Sequence, residues 1–362
     1  MKDPYLRPII GCLLGTAVGD ALGLPYEGLS RKRIYQSHTP IKSHGLILNK
    51  GMISDDTEHL CMTVQSLIVS GGDPAKFARH LAWRLRWWLL GLPGGIDWVA
   101  FKSCFRLWLG FSPQKSGIDS AGNSAAIRSA IIGVCYGRDR AQLLSLVKAS
   151  TIVTHHNHKA ELGAIAVAVA AYMASSQSIV VPQDYYQTLK QFLSHPLATF
   201  PHSETAAFLN LVEQACISAQ ENESGVVFAD KLGNHKGVSG YVYDTVPVVI
   251  QVWLRNQGRY SQGIREIIYL GGDTDTTAAI LGGIIGSSTG VSSIPLQWLD
   301  DIVDRPRSTN WIKSLGKRLA QSLDAEFPLP ALPLGFYWIP LRNLIFWVAI
   351  LFHGFYRLLP PY

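Results

Sequence analysis

Apolar side chains recur at intervals of three and four residues along most of this chain, which is the spacing that places them on one face of an α-helix. Few stretches alternate as a half-buried strand would, and VSGYVYDTVPVVIQVWL (238–254), which is ambiguous, is interpreted as a buried helix from its length. Alanine, glycine and serine crowd the periodic segments, so the helices can approach closely. The pattern predicts a compact all-α body whose clearest helices are DTEHLCMTVQSLIVSG (56–71), SAAIRSAIIGVCYG (124–137), KAELGAIAVAVAAYMAS (159–175), SETAAFLNLVEQACISAQ (203–220) and TDTTAAILGGIIGSS (274–288).

Composition supports a folded globule in a reducing compartment. The 362 residues are 48% hydrophobic and 16% charged, enough to bury a sizeable core in one large domain or two small ones. The five cysteines are scattered, odd in number and never spaced as C-x-x-C, which argues against a disulfide framework or a thiolate zinc site and favours the cytosol. The net charge of +6 is modest, and no basic run resembles a nucleic-acid arm.

Two oxygen-rich stretches each open an apolar-periodic helix. Residues 271–277 read GGDTDTT and residues 52–58 read MISDDTE. Asp, Ser and Thr are common helix caps, so each stretch alone is explained by capping. Carboxylate and hydroxyl oxygens are also the ligands that Mg²⁺ prefers, and adjacent aspartates repel each other unless water or a cation neutralises them. Two such helix starts therefore predict convergence on one or two divalent ions.

Four further stretches place acidic residues, a Gly-Asn turn or histidines beside apolar helical segments. They are GCLLGTAVGDALGLPYEG (11–28), DSAGNSAAIR (119–128), VTHHNHKAELGAIAVA (153–168) and GYVYDTVPVV (240–249). With the two acidic clusters they stand in the order of the ADP-ribosylglycohydrolase family, which the sequence resembles over about residues 9 to 290. Each stretch alone is weak evidence for this resemblance, and the six together are specific to the family.

The resemblance implies a helical domain that binds two Mg²⁺ ions, or Mn²⁺, and cleaves the bond between ADP-ribose and an acceptor. The implied metal ligands are Ser54, Asp55, Asp56, Asp273, Asp275 and Thr276, where serine 54 replaces the family's usual threonine. The implied substrate-binding residues are Gly122, Asn123, Ser124 and His155, where serine 124 replaces a glycine. Asn157 stands where the family has a second histidine, and His156 and His158 are expected to face solvent or cap the helix.

Glycoside hydrolysis needs a proton donor, an activated water and stabilisation of an oxocarbenium-like state. Glu27 matches the family's glutamate after an aromatic residue and is predicted to be the general acid/base or water-positioning carboxylate. Asp119 is a second catalytic candidate. Asp20 is interpreted either as a structural residue that bonds backbone amides between helices or as a group just behind the site. The sequence leaves open whether the acceptor is a protein side chain, such as arginine or serine, or part of a small ADP-ribose conjugate.

Two regions depart from a minimal family domain. The segment 80–117 is dense in Trp, Arg and Lys and is interpreted as a buried helix pair with snorkelling cations, or as a wall of the acceptor cleft. Residues 1–325 are assigned to the catalytic domain and residues 326–362 to an apolar, aromatic tail. The unbroken run LIFWVAILF is far shorter than the about 20 residues of a membrane span, which favours packing, an oligomer contact or peripheral membrane association.

Two other functions are open at this stage. A metal-dependent ADP-ribose-binding protein without turnover would keep the fold and the pocket, although four retained carboxylates argue against it. A nucleic-acid-associated protein would use the Trp and Arg segment and would bind oligonucleotides in a salt-sensitive way.

Overall fold

A computed structural model describes residues 5–36 and 40–357. These residues form helices, turns and isolated bridges, with no β-strand among them, so the all-α prediction is confirmed. The α-helices are α1 (Leu6–Gly23), α2 (Arg31–Gln36), α3 (Asp55–Ser70), α4 (Pro74–Leu90), α5 (Trp98–Trp108), α6 (Pro113–Ser116), α7 (Ser124–Ile127), α8 (Ser129–Tyr136), α9 (Arg140–Ile152), α10 (His158–Ser176), α11 (Pro182–Leu193), α12 (His202–Gln220), α13 (Gly225–Lys231), α14 (Val242–Arg255), α15 (Tyr260–Tyr269), α16 (Thr274–Thr289), α17 (Leu296–Asp300), α18 (Thr309–Leu323) and α19 (Ile339–Tyr356). Three short 3-10 helices cover Leu24–Tyr26, Gly290–Ser293 and Phe336–Trp338.

The helices predicted from periodicity appear where the sequence places them, with one exception. The ambiguous stretch around residue 245 is helical, as α14. The segment 124–137, predicted as one helix, is instead divided into α7 and α8 at Arg128. Its guanidinium is fully buried and donates to Ser150 and Thr154, a tertiary contact that helical periodicity does not report.

The centre of the body is the antiparallel pair of α1 and α16. Glycines 11, 15, 19 and 23 of α1 lie one turn apart, and each faces the backbone of α16, opposite residues 286, 282, 278 and 274 in turn. A Cβ atom on any of these four glycines would collide with a carbonyl oxygen of the partner helix. The contact places the end of α1 beside the start of α16. It therefore brings Glu27, which follows α1, to the acidic stretch at residue 273.

The remaining large helices surround this pair. Helix α10 packs on α8, α16 and α14, while α18 packs on α1 and α3. All of these contribute to one continuous core of buried apolar side chains. Because these helices pack against α1 and α16 on several sides, the ends of both helices have a fixed position.

The C-terminal segment folds back onto the body as α19. Phe346 and Ala349 are buried against Leu24, Leu46 and Met52. By length and composition, Phe336–Phe355 meets the criterion for a membrane span, as does the buried core helix at Leu6–Tyr26. The helix is longer than the unbroken apolar run on which the length argument was based, while its packing onto the body agrees with the predicted packing role. Residues 358–362 of the predicted tail lie outside the described residues.

The prediction of a buried pair of helices in segment 80–117 is confirmed for one side of each helix, where Leu81, Leu85 and Cys104 are buried in the core, and is wrong for most of the aromatic side chains. Helices α4 and α5 form the pair, but Trp83, Trp87, Trp98, Phe101 and Phe105 are all exposed. The periodicity identifies an apolar face without showing what covers it.

The glycine contact between α1 and α16 generates a stability prediction. Gly15→Ala should lower the free energy of unfolding by about 1–3 kcal/mol, because the added methyl group must displace the backbone at residue 282. Gly354→Ala, in the open helix α19, is the matched control and should raise it by about 0.5–1 kcal/mol. Urea unfolding followed by circular dichroism measures both, and equal effects of the two substitutions would contradict the account.

Candidate functional site: an acidic cleft between two helix starts

The first acidic cluster is held at the start of α3 by hydrogen bonds to its backbone. The Ser54 hydroxyl caps the helix by accepting from the Asp56 amide at 3.2 Å. The buried Asp20 carboxylate, on α1, accepts from the Ser54 amide at 3.0 Å and from the Thr57 amide at 3.2 Å. Asp20 thus bonds backbone amides between helices, the first of its two predicted roles. It locks the start of α3 to α1 one turn before α1 ends.

The second acidic cluster is held by a glycine turn. Gly271 and Gly272 both have positive φ, at 74° and 83°, and a side chain at Gly272 would collide with the backbone of Val238. The Gly272 amide donates to the Leu29 carbonyl at 2.8 Å, and the Asp273 amide donates to the Val238 carbonyl at 2.8 Å. Helix α16 then begins, with Asp275 and Thr276 in its first turn. The turn is therefore pinned from two sides.

The two clusters meet in one cleft of about 290 Å³. Its lining includes most of the predicted site residues, namely Glu27, Asp55, Asp56, Gly122, Asn123, Ser124, His155, Asp273, Asp275 and Thr276. Ser54 is buried behind the cleft as a helix cap and is not part of the lining. The structure thus brings together residues that are more than 200 positions apart in sequence.

The carboxylates of the cleft repel one another. Burial first, and then neighbouring carboxylates, raise the pKa values of Asp55, Asp56 and Asp275 well above the usual range. Oxygen Oδ2 of Asp56 is buried and has no hydrogen-bond partner. Among the described residues no three Cys, His, Asp or Glu side chains form a metal-ligating group by themselves. Hydroxyl and backbone oxygens stand beside these carboxylates, and a cation would satisfy both the orphan oxygen and the excess negative charge.

The Gly-Asn-Ser loop is tied directly to the acidic clusters. Asn123 Nδ2 donates to Asp273 Oδ2 at 2.7 Å and to the Thr245 hydroxyl at 2.9 Å. The Asn123 amide donates to the Gly240 carbonyl at 3.1 Å. This network orients the Asp273 carboxylate, and it gives Thr245 of the Asp-Thr pair at 244–245 a role in supporting the loop.

His155 presents an unpaired ring nitrogen to the cleft. Its side chain is buried, Nδ1 lies 2.9 Å from the Thr154 hydroxyl, and Nε2 has no partner. Burial, followed by the nearby Arg128 charge, lowers the pKa of His155 to about 4. The ring is therefore neutral at pH 7. Nδ1 contacts the Thr154 hydroxyl, whose oxygen also accepts from Arg128 at 2.7 Å, so Nε2 is the ring nitrogen left for a ligand in the cleft.

Asp97 and Trp98 are cleft residues that sequence reasoning missed. Asp97 caps α5 by accepting from the amides of Val99 and Ala100, and its other oxygen accepts from the Ser124 hydroxyl at 3.0 Å. Among the neighbouring charges, Asp97 contributes most to the raised pKa of Asp55. The signal was an aspartate between a glycine turn and an apolar helix, the same pattern as in the two clusters. Aromatic residues follow Asp97 directly in the sequence.

Asp119 lies outside the cleft. Its side chain is exposed, accepts from Asn157 Nδ2 at 2.7 Å and lines a neighbouring pocket of about 730 Å³ together with His156 and His158. Both of these histidines are exposed, as expected, and Asn157 caps α10. The structure therefore separates Asp119 from Glu27, the other predicted catalytic carboxylate.

Known proteins share this sequence pattern and this fold. The sequence profile of the ADP-ribosylglycohydrolase family matches residues 1–328. An uncharacterized protein of Archaeoglobus fulgidus is 31% identical over 302 residues, which cover 81% of this chain and 91% of that protein. ADP-ribosylarginine hydrolase Tri1 of Serratia proteamaculans is 26% identical over 324 residues, which cover 84% of this chain and 78% of that protein.

A solved structure, an ADP-ribosylglycohydrolase-related protein complex, matches with a TM-score of 0.63 at 22% identity, covering 89% of this chain and 100% of that chain. At that identity the match supports the fold alone. The family match defines the class of protein as a glycosidic-bond hydrolase. The chain belongs to the ADP-ribosylglycohydrolase family, and its substrates accordingly carry ADP-ribose on an acceptor.

The raised pKa values generate a prediction about stability and pH. A carboxyl group whose pKa is higher in the folded than in the unfolded state destabilises the fold as pH rises above its unfolded value, near 4. In EDTA the protein should therefore lose stability between about pH 4 and pH 7. Asp56→Asn should reduce this loss and be more stable than wild type at pH 7, since each unit of pKa elevation costs about 1.4 kcal/mol.

Urea unfolding at several pH values measures the slope, with the exposed Asp184→Asn as the matched control that should keep the wild-type slope. An Asp56→Asn protein that is less stable than wild type at pH 7 in EDTA would show that the carboxylates do not repel one another.

Proposed function

We propose that this protein is a hydrolase that depends on two Mg²⁺ ions, or Mn²⁺, and cleaves the bond between ribose C1 of ADP-ribose and an acceptor. The acceptor is a protein side chain such as arginine or serine, or a small ADP-ribose conjugate. The observation that carries the proposal is the convergence of two acidic helix starts in one cleft, where Asp56 Oδ2 is buried without a partner.

The cleft carboxylates fit the proposed cations in number and in chemistry. Asp55 and Asp56 lie on one side, and Asp273, Asp275 and Thr276 lie on the other. Ser54, predicted as a ligand, uses its hydroxyl as a helix cap and retains acceptor capacity for a weaker role. Bound ions would supply positive charge that orients the ribose hydroxyls and makes a nearby water more acidic.

Glu27 is the proposed general acid/base. It follows the short helix after α1 and lines the cleft beside Asp273. Glu27 is exposed at the cleft, and its partial desolvation first, then the charge of Asp273, raises its pKa, while Arg357 opposes this effect. A carboxyl group with a raised pKa exchanges a proton more readily near neutral pH, which suits a group that takes a proton from water or gives one to the leaving group.

The backbone around Glu27 is fixed from the C-terminal helix. Arg357 donates to the Glu27 carbonyl at 3.1 Å and to the Pro25 carbonyl, and His353 bonds the same Pro25 carbonyl at 3.0 Å. Asp119 stays a weaker catalytic candidate, since a substrate would have to extend from the cleft into the neighbouring pocket to meet it.

Substrate binding is assigned to the Gly-Asn-Ser loop and His155. The loop backbone at Gly122 and the Nε2 atom of His155 lie close together, since a Cβ on residue 122 would lie 3.0 Å from Nε2. The Ser124 hydroxyl, on the serine that replaces the family's glycine, donates to Asp97, which lines the same cleft. The loop backbone is proposed to bind a phosphate group of ADP-ribose.

The acceptor class is proposed from similarity. One relative is named as an ADP-ribosylarginine hydrolase, which supports arginine as the first acceptor to test. The five cysteines are all free thiols, which supports a reducing compartment such as the cytoplasm.

The first test of this function is release of free ADP-ribose from ADP-ribosyl-arginine and ADP-ribosyl-serine peptides. Release should require Mg²⁺ or Mn²⁺ and stop in EDTA. Asp273→Asn should lower kcat/KM by about 100-fold or more, because it removes a charge that faces the proposed ions. The exposed Asp184→Asn is the control. Metal-independent release would contradict the proposed mechanism, and metal-dependent ADP-ribose binding without release from either peptide would favour another acceptor or a non-catalytic binding protein.

The role of Glu27 has its own test. Glu27→Gln should lower kcat by about 100-fold to 10,000-fold while the Kd for ADP-ribose changes by less than about threefold, since the amide keeps the shape and loses proton transfer. The exposed Glu221→Gln, at the end of α12, is the control. If Glu27→Gln retains full kcat, the assignment is wrong and Asp119→Asn becomes the variant to measure.

A further inference from the structure

Large apolar side chains are exposed mainly on two parts of the described structure. Ten of them lie between residues 83 and 111, on α4, α5 and the adjoining loops, and eleven lie between residues 336 and 355, on α19 and the turn before it. A soluble monomer rarely exposes so many neighbouring apolar groups without a partner. We call these two sets together the aromatic face.

The two sets adjoin each other. The Trp347 indole of α19 donates to the Leu92 carbonyl at 3.2 Å, and Asn343 donates to the Gly91 carbonyl at 2.6 Å. Both carbonyls belong to the loop between α4 and α5. Along α4 and α5 the exposed rings continue as Trp83, Trp87 and Trp108, with centroids 5.5 Å and 5.3 Å apart. The aromatic face is therefore one connected surface.

Helix α19 is attached to the body along its whole length through its other side. Arg342, near its start, pairs with Asp304 at 2.7 Å in a buried site, and it donates to the Ile53 carbonyl. Phe346 is fully buried at the middle, and His353 bonds the Pro25 carbonyl near the end. A membrane-spanning orientation would break all of these contacts. The apolar side of α19 can instead meet a partner only with the helix axis parallel to the partner's surface.

The charge of the aromatic face indicates which kind of partner it fits. Residues 73–115 carry seven lysines and arginines against two aspartates, and residues 327–357 carry no acidic residue, while Arg342 among them is buried and paired with Asp304. Basic groups lie over the exposed rings, with Lys102 Nζ 4.9 Å from the Trp98 ring and the Arg86 guanidinium 5.4 Å from the Trp108 ring. A second copy of this chain would bring the same basic set to a two-fold interface, where like charges repel. An anionic surface complements it.

Tryptophan enrichment distinguishes lipid from other anionic partners. Six of the ten tryptophans are exposed on the aromatic face, at positions 83, 87, 98, 108, 338 and 347. Tryptophan prefers the boundary between lipid headgroups and acyl chains, and lysine and arginine prefer anionic headgroups. We propose that the aromatic face docks on an anionic lipid surface, with α19 lying in the plane of the membrane.

This docking holds the cleft at the membrane. Trp98 belongs to the aromatic face and also lines the acidic cleft, and α19 fixes the backbone before Glu27. Lipid binding itself is independent of the proposed catalytic function and is measured without substrate.

The test is sedimentation of the full chain with vesicles of phosphatidylcholine alone or an equal mixture of phosphatidylcholine and phosphatidylglycerol. Wild type should bind the anionic vesicles at least about tenfold more tightly, and the difference should shrink in high salt. Leu344→Ser with Phe352→Ser, two exposed side chains of α19, should weaken binding to the anionic vesicles at least about tenfold. Ile179→Ser with Leu197→Ser, exposed apolar residues on the α10–α11 loop and beyond α11, is the matched control and should bind as wild type does.

Thermal unfolding checks that each double variant is folded, which is expected because every substituted side chain is exposed. Lys76→Gln with Lys102→Gln should lower the preference for anionic vesicles while keeping the residual binding to neutral ones. The proposal is overturned if wild type stays in the supernatant with both vesicles, or if the α19 variant binds as tightly as wild type. A wild-type dimer without lipid that becomes monomeric in the α19 variant would assign the face to a second copy and equally overturn it.

Discussion

The contact on which the structure depends is the backbone-to-backbone packing of α1 against α16. Four glycines at four-residue spacing remove every side chain from one stripe of α1, so the two helices approach more closely than side chains permit. Because the helices are antiparallel, the end of α1 and the start of α16 fall at the same place. Asp20, one turn before the end of α1, then bonds the start of α3. One helix therefore positions Glu27 and both acidic clusters.

This arrangement concentrates like charges where water is scarce. Asp20 itself has its pKa raised to about 6 by burial, against the lowering effect of its bonds from Ser54 and Thr57. Such a cluster costs stability unless cations neutralise it, and the rest of the fold offsets that cost. A second buried charge network lies just behind it, where burial alone would raise the pKa of Glu58 but Arg307 and Arg342 outweigh burial and lower it. Through Arg342 the C-terminal helix α19 is joined to the helix that carries Asp55 and Asp56.

Sequence reasoning recovered the features that depend on local pattern. Helical periodicity predicted the all-α fold, and the repeated acidic helix starts predicted that the two acidic clusters converge. The resemblance to the family implied the other cleft residues, Glu27, the Gly-Asn-Ser loop and His155. Features that depend on tertiary contact were missed. The break at Arg128 arises from buried bonds to Ser150 and Thr154. Asp119 is only three residues from Gly122, yet the intervening turn directs it to another pocket.

The sequence also does not predict which apolar side chains are exposed to solvent. An amphipathic pattern shows that α4, α5 and α19 have apolar positions, but only the packed structure shows that Leu81 and Leu85 are buried while Trp83, Trp87 and Trp98 are exposed. Asp97 follows a glycine turn and precedes an apolar helix, as the two acidic clusters do, and only the structure places it in the cleft.

The most direct test of the central claim is a crystal structure of the protein soaked in Mn²⁺, with anomalous scattering measured at the manganese edge. The account predicts two anomalous peaks in the cleft between Asp55 and Asp56 on one side and Asp273 and Asp275 on the other, both lost in Asp56→Asn crystals grown the same way. An ordered cleft with no anomalous peak at saturating Mn²⁺, or peaks only outside it, would contradict the claim that the two helix starts form a metal site.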